Sequence, residues 1–164
     1  MKRGSLIGLL VVLLLAGLAA LLPQGEAEPP VAGPAHVVDG DTLAVAGQRI
    51  RLHGVDAPEA NQLCERDGQP WRCGADATEA LRAFLAGRPV ACTPVDRDRY
   101  GRIVARCAAD GQDLGAWLVG QGLAVAYTEY SWRYVPAEFW AHWHGRGIWG
   151  GSFQTPAEHR RAQR

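Results

Sequence analysis

The sequence lacks an excess of charge of either sign: 17 Lys and Arg stand against 17 Asp and Glu in 164 residues. No global field therefore draws the chain to a polyanion, so any nucleic-acid function has to rest on a local cluster of cations. Lysine is nearly missing too, with Lys2 the single instance. The cations are arginines, whose planar fork can hold phosphate at two points. There is no internal repeat, and no two cysteines stand at the C-x(2–4)-C spacing of structural zinc sites, which argues against zinc. The chain is too short for two ordinary domains, and 48% hydrophobic residues exclude the disordered, collagenous and coiled-coil classes.

What is present begins with one apolar run. Lys2 and Arg3 precede Leu6 to Leu22, a stretch without a charged or polar side chain that stops at Pro23. Its length is long for a secretory core and short for a spanning helix, so residues 1–27 read as a signal peptide or an N-terminal membrane anchor. The two N-terminal cations stay in the cytoplasm in either case, and everything after Pro23 crosses the membrane. The domain is thus expected to be exported: secreted, periplasmic, or anchored and facing outward, touching the membrane only through residues 6–22 if the leader is uncleaved. In such an oxidising compartment four cysteines imply two disulfides. Counting allows three pairings. Cys64 with Cys73 and Cys92 with Cys107 are favoured, because the second pair ends two strand-like runs joined through Asp98-Arg99-Tyr100-Gly101.

Along the chain, residues 28–36 are Pro-rich and read as a linker. Val37 to Val45 and Gln48 to Leu52 alternate like strands around an Ala46-Gly47 turn. Residues 60–75 read as a disulfide-pinned loop. Helical spacing predicts a helix from Asp76 to Ala86, a second over Leu114 to Val119 capped by Asp113, and a third from Pro136. Pro89 to Val95, Arg102 to Cys107 and Val125 to Tyr127 read as strands. Phe139, Trp140 and Trp143 share one face of the third helix, and Trp132, Trp140, Trp143 and Trp149 are expected in the core rather than as a base-stacking platform. Residues 154–164 read as a solvated basic tail. The class is α+β with a small antiparallel sheet or barrel.

Chemistry concentrates early. A strand period of two puts Asp39 and Asp41 on one face, with Asp39 expected to serve backbone groups beside Gly40. The hairpin carries Asp41 toward Arg51, Asp56 and Glu59, which then share a pocket of about ten ångströms at ordinary strand spacing. Hard oxygen ligands of this kind suit Ca²⁺ or Mg²⁺. His53, His142, His144 and His159 read as surface or core-edge groups, since His142 and His144 lie two apart and face different ways on a helix.

Four ordered motifs carry a resemblance: Val38-Asp39-Gly40-Asp41-Thr42; Arg51-Leu52-x-Gly54-Val55-Asp56-Ala57-Pro58-Glu59; Asp98-Arg99-Tyr100-Gly101-Arg102; and Leu118-Val119-x-Gln121-Gly122-Leu123-Ala124. From about Val37 to Trp149 the chain resembles the staphylococcal nuclease, or thermonuclease, family. The resemblance implies a five-stranded OB-fold β-barrel with three helices over residues 37–153. It also implies a monomer that hydrolyses DNA and RNA phosphodiesters with Ca²⁺, on single-stranded or frayed substrate, leaving 3′-phosphate ends. By that resemblance Asp41 and Asp56 are calcium carboxylates, and the main-chain carbonyl of Ala57 stands where the family often has Thr. Glu59 activates water, Arg51 and Arg102 hold the phosphate, and Tyr100 and Tyr127 lie near the nucleotide, with Arg99 a weaker substrate contact. The first hairpin is shorter than in the best-known secreted members. The alternative is a non-catalytic OB-fold module that binds single-stranded nucleic acid or a protein partner. Retention of Arg51, Glu59 and Arg102 with both aspartates favours the enzyme.

Overall fold

Alternation along the strands sets the inner and outer faces of the sheet. In a computed structural model that describes residues 28–163, the strand Ile103–Ala109 buries Ile103, Ala105, Cys107 and Ala109 and turns the residues between them outward. The leader expected over residues 1–27 lies outside the described residues. No described helix is long and apolar enough to cross a membrane.

The elements run β1 (Val31–Asp39), β2 (Thr42–Val45), β3 (Gln48–Leu52), β4 (Val55–Asp56), β5 (Cys64–Arg66), β6 (Gln69–Trp71), α1 (Cys73–Leu85), β7 (Pro89–Arg97), β8 (Ile103–Ala109), β9 (Gln112–Asp113), α2 (Leu114–Gly120), β10 (Val125–Ala126), α3 (Val135–Trp143), a 3-10 turn (Gly147–Gly150) and α4 (Pro156–Ala162). Antiparallel pairing follows the order β3-β2-β1-β7-β8-β9. A parallel pairing of β3 with β8, Ile50 opposite Ile103 and Arg51 opposite Val104, closes five of these strands into a barrel. Closure removes the exposed edges that an open sheet would present. The architecture is an OB-fold barrel. Leu43, Val45, Ile50 and Val90 from the barrel meet Leu81 of α1 and Leu114 and Leu118 of α2 in one core.

Several expectations change on contact with the structure. The linker is shorter than 28–36, because Val31 to Pro34 already pair with Pro89 to Cys92 and their backbone bonds continue β1. Val37 to Val45 is not one strand: the chain turns at Gly40-Asp41, so Asp39 and Asp41 do not share a strand face. Asp39 instead accepts the Asp41 backbone N–H at 3.1 Å, the backbone role expected of it. Within residues 60–75 the loop contains the β5–β6 hairpin, turned by Asp67-Gly68 in the left-handed region at φ 53° and 71°, the conformation of a tight hairpin turn. Helix α1 begins at Cys73, ahead of the expected Asp76.

The described residues hold four α-helices rather than three. The fourth, α4, arises from the segment read as a solvated tail: Thr155 and Glu158 form a reciprocal capping box and Pro156 opens the first turn. The aromatic side chains of α3 are not core. Phe139, Trp140 and Trp143 are 67%, 54% and 77% exposed, and Trp132 is 75% exposed. The buried face of α3 is supplied by Ala141, with Tyr134 entering the core just before the helix. Both local disulfides, Cys64–Cys73 and Cys92–Cys107, are formed.

Candidate active site

The site starts from strand register. Pairing of β2 with β3 sets Thr42 opposite Arg51, which brings the Arg51 guanidinium back over the turn that precedes β2. Its Nη1 donates to Asp41 Oδ1 at 2.7 Å and its Nη2 to Asp56 Oδ1 at 2.8 Å. Asp56 is delivered by β4, held opposite Val125 of β10. One guanidinium therefore brackets two aspartates that are 4% and 1% exposed. Asp41 Oδ2 also accepts the Ala57 N–H at 3.0 Å, which ties the two carboxylate-bearing segments together. Gly40 allows this approach, because a Cβ there would stand 2.7 Å from that of Ala57. Burial pushes the Asp41 carboxyl up to about 7, outweighing the opposing pull of Arg51, with Asp39 adding to the rise.

Glu59 is placed by its backbone. The fully buried Gln62 accepts the Glu59 N–H at 3.2 Å through Oε1, while its own N–H donates to the Glu59 carbonyl at 2.7 Å. Gln62 Nε2 in turn donates to the Gln154 carbonyl at 2.8 Å, so the glutamate loop and the segment leading into α4 are clamped together. Beneath them Gly74 of α1 packs against the Glu59 carbonyl, with no space for a side chain. The Cys64–Cys73 bridge begins two residues after Gln62, and its Cys73 Sγ lies 3.6 Å from the Gln62 carbonyl oxygen.

Across the cleft, Asp98 organises the β7–β8 turn. Its carboxylate accepts the Tyr100 N–H at 2.9 Å, the Arg102 N–H at 3.0 Å and Arg102 Nε at 2.6 Å. Desolvation works upward on Asp98, yet these bonds outweigh it and hold the carboxyl below its ordinary pKa. The Arg102 guanidinium lies 5.6 Å from the centre of the Tyr100 ring, and that of Arg99 lies 4.9 Å from it. Tyr127 donates its backbone N–H to the Gly54 carbonyl at 2.9 Å and meets Tyr130 edge-on, with ring centres 4.8 Å apart.

The structure thus gathers Asp41, Arg51, Glu59, Arg99, Tyr100, Arg102 and Tyr127 around a cleft of about 940 Å³, with the buried Asp56 held by Arg51. Ala57 lies in the cleft lining as well. His53 also lines the cleft, and burial lowers its pKa, with Arg106 adding to the effect.

The sequence reading missed three members of this constellation. Asp98, which orients Arg102, stood inside a quoted motif without a role. Gln62 carried no pattern at all. Arg160 lies in the segment that reads as a solvated tail, yet α4 turns it into the cleft. There its Nη1 donates to Asp56 Oδ1 at 3.0 Å and Glu59 Oε1 at 2.8 Å, and its Nη2 donates to Asp56 Oδ2 at 2.9 Å. The signal available was the capping box Thr155-Pro156-Ala157-Glu158, which marks a helix start.

A family model described as "Staphylococcal nuclease homologue" matches residues 49–150. The chain belongs to this family. A Rhizobium meliloti relative named "Succinoglycan biosynthesis protein ExoI" is 47% identical over 141 residues, covering 82% of this chain and 73% of its own. An Escherichia coli "Uncharacterized endonuclease" is 34% identical over 127 residues, covering 73% and 77%. An Oryza sativa "Probable staphylococcal-like nuclease CAN1" is 34% identical over 128 residues, covering 76% of this chain and 36% of the rice protein.

As a staphylococcal nuclease homologue, the chain can be tested for the divalent cation its family implies. Among the described residues, no three His, Cys, Asp or Glu side chains converge as a preformed metal cluster. Asp41 and Glu59 line the cleft, and the buried Asp56 is joined to Asp41 through Arg51 and to Glu59 through Arg160. An all-oxygen set of two carboxylates suits a hard ion that completes its shell with carbonyl, water and substrate oxygens. The donor chemistry fits calcium and does not fit a soft metal.

Proposed function

We propose that the protein is an exported, Ca²⁺-dependent nuclease that hydrolyses phosphodiester bonds of DNA and RNA. The observation that carries this reading is Arg51 bridging two buried aspartates in a cleft that Glu59 and Arg102 also line. The names of relatives that read "endonuclease" and "staphylococcal-like nuclease" support the same reaction class.

In this reading Asp41, Asp56 and the Ala57 carbonyl hold the cation, which when bound polarises a phosphoryl oxygen as a Lewis acid. Glu59 accepts a proton from the attacking water, a step typically worth about 10² to 10⁴ in rate. Arg51 and Arg102 bind the phosphoryl group and stabilise the negative charge that grows on its equatorial oxygens. Each is fixed beforehand by a carboxylate, Arg51 by Asp41 and Asp56 and Arg102 by Asp98, so little reorganisation accompanies the charge development. Tyr100 and Tyr127 offer ring faces to an unpaired nucleotide, which favours single-stranded or frayed substrate, with Arg99 at the rim. The enzyme acts as a monomer beyond the cytoplasmic membrane.

The test is cleavage of single-stranded DNA and RNA by the purified, oxidised chain with Ca²⁺ and again with a chelator. Cutting that requires Ca²⁺ and falls about 10²-fold or more in Glu59→Gln is the expected result. A folded protein that binds single-stranded nucleic acid without cutting it would refute the enzyme and favour a non-catalytic binding module.

A further inference from the structure

Three carboxylates, Asp41, Asp56 and Glu59, are paired by two guanidiniums, those of Arg51 and Arg160. The two arginines differ in how they are held. Arg51 comes from the barrel wall, whereas Arg160 comes from a helix of seven residues at the C-terminal end. Arg160 takes both oxygens of Asp56 and one of Glu59. Asp56 Oδ1 then accepts from both arginines and Oδ2 from Arg160. A cation that is to coordinate Asp56 meets oxygens already occupied by a guanidinium with two-point geometry, the strongest form of carboxylate pairing.

We propose that Arg160 is a built-in competitor for the divalent cation, so that cation binding and the seating of α4 exclude each other. The inference rests on the calcium reading given above and extends it to a residue outside the family motifs. A bound cation takes over the charge of Asp56, and the guanidinium leaves both Asp56 and Glu59. Glu59 is thereby released from its ion pair only when the cation has arrived, which couples the water-activating carboxylate to metal occupancy. The bond from Gln62 to the Gln154 carbonyl tethers the segment leading into α4 while Arg160 is displaced. The displaced arginine therefore stays at the mouth of the cleft.

The experiment is calorimetric titration of the oxidised full chain with Ca²⁺ alone, no nucleic acid present, for the wild type, Arg160→Ala, Arg160→Gln and Arg161→Ala. Arg161 is the control for loss of one positive charge on the same helix. Both Arg160 variants should bind Ca²⁺ about tenfold tighter or more than the wild type, since a two-point charge-assisted contact no longer opposes it. The Arg161 variant should stay within about threefold, the scale of a screened surface charge. Hydrogen exchange gives a second readout: Ca²⁺ should lower amide protection over residues 156–162 in the wild type. Wild-type binding that is unchanged or weakened by the Arg160 substitutions, or raised equally by Arg161→Ala, would overturn the competition while leaving the calcium reading intact. Folded wild type and variants that all fail to bind Ca²⁺ would overturn both.

Discussion

Gly74→Ala tests whether the position of Glu59 is set by packing beneath it. Gly74 is the second residue of α1, and a Cβ built there would lie 1.7 Å from the Glu59 carbonyl oxygen and 2.6 Å from its carbon. An ordinary carbon–oxygen contact is about 3.3 Å, so the backbone at Glu59 has to retreat by roughly 1.6 Å. The obstacle is main chain, which cannot rotate aside, and Gln62 grips it on the other face. Displacing a catalytic group by about 1 Å can cost on the order of 10² in rate. The same clash should cost about 1–3 kcal/mol as overpacking, offset by the ~1 kcal/mol advantage of Ala over Gly in a helix. Turnover should thus fall far more than stability. Gly120→Ala is the matched control, because a Cβ at that helical position meets nothing within 4 Å. Steady-state cleavage rates and thermal melts of both variants would decide the matter. Turnover in Gly74→Ala within about threefold of wild type would refute the claim that this contact positions Glu59.

Gln62→Leu should destabilise the fold by about 1–3 kcal/mol for each polar group it strands, the Glu59 N–H and the Gln154 carbonyl, as read by urea unfolding. An unchanged urea midpoint would remove Gln62 as the clamp between the glutamate loop and α4. Asp98, held below its ordinary value of 3.8 by the Arg102 and Tyr100 bonds, contributes stability that is present above the unfolded pKa and lost as pH falls through the folded one. The gap in melting temperature between wild type and Asp98→Asn should accordingly be constant near neutrality and shrink below pH ~4; a gap independent of pH would contradict it. Replacing Cys92 and Cys107 together by Ala opens a bridge spanning a sequence separation of 15. A loss of about 3 kcal/mol in unfolding free energy is expected from chain entropy alone, and a loss below about 1 kcal/mol would show that the barrel constrains these strands without it.

The barrel was legible where the signal is local. Alternation marks β3 and β8, Ala46-Gly47 turns between β2 and β3 with φ of 48° and 77°, and Asp113 caps α2 by accepting the Ala116 N–H at 2.9 Å. Each of these depends on neighbours a few residues apart. The split of β1 from β2 had a local signal that the strand reading passes over, since Asp39-Gly40-Asp41-Thr42 interrupts the apolar pattern between Val38 and Leu43 and Asp-Gly favours a turn; the contact of Gly40 with Ala57 that fixes this turn is made only by the folded barrel. The exposure of the α3 aromatics went unseen for a related reason. Helical spacing shows that Phe139 and Trp143 share a face, and their rings do stack with centres 6.3 Å apart, but periodicity does not say whether that face meets protein. Here the small residue Ala141 and the preceding Tyr134 take the inward positions.

The site divides along the same line. Asp41, Arg51, Asp56, Glu59 and Arg102 could be named from the sequence because they sit in short motifs on paired strands, where register carries one motif to the next: Thr42 opposite Arg51, then Arg51 opposite Val104. The residues that hold them in place follow no such pattern. Gln62 acts across a separation of 92 residues to Gln154, and Arg160 reaches Asp56 across 104. A sequence shows that a short basic helix starts at Thr155; it does not show where that helix lands, since this depends on the buried Gln62, whose Nε2 donates to the Gln154 carbonyl. The charge balance nonetheless contained a hint. Three acids gathered by the motifs around one inward arginine leave a surplus of negative charge at a wall where two of them are almost fully buried, and such charges are costly unless paired. A second counter-ion was therefore required from elsewhere in the chain or from solution. Arg160 fills that requirement from within the chain, taking both oxygens of Asp56 and one of Glu59.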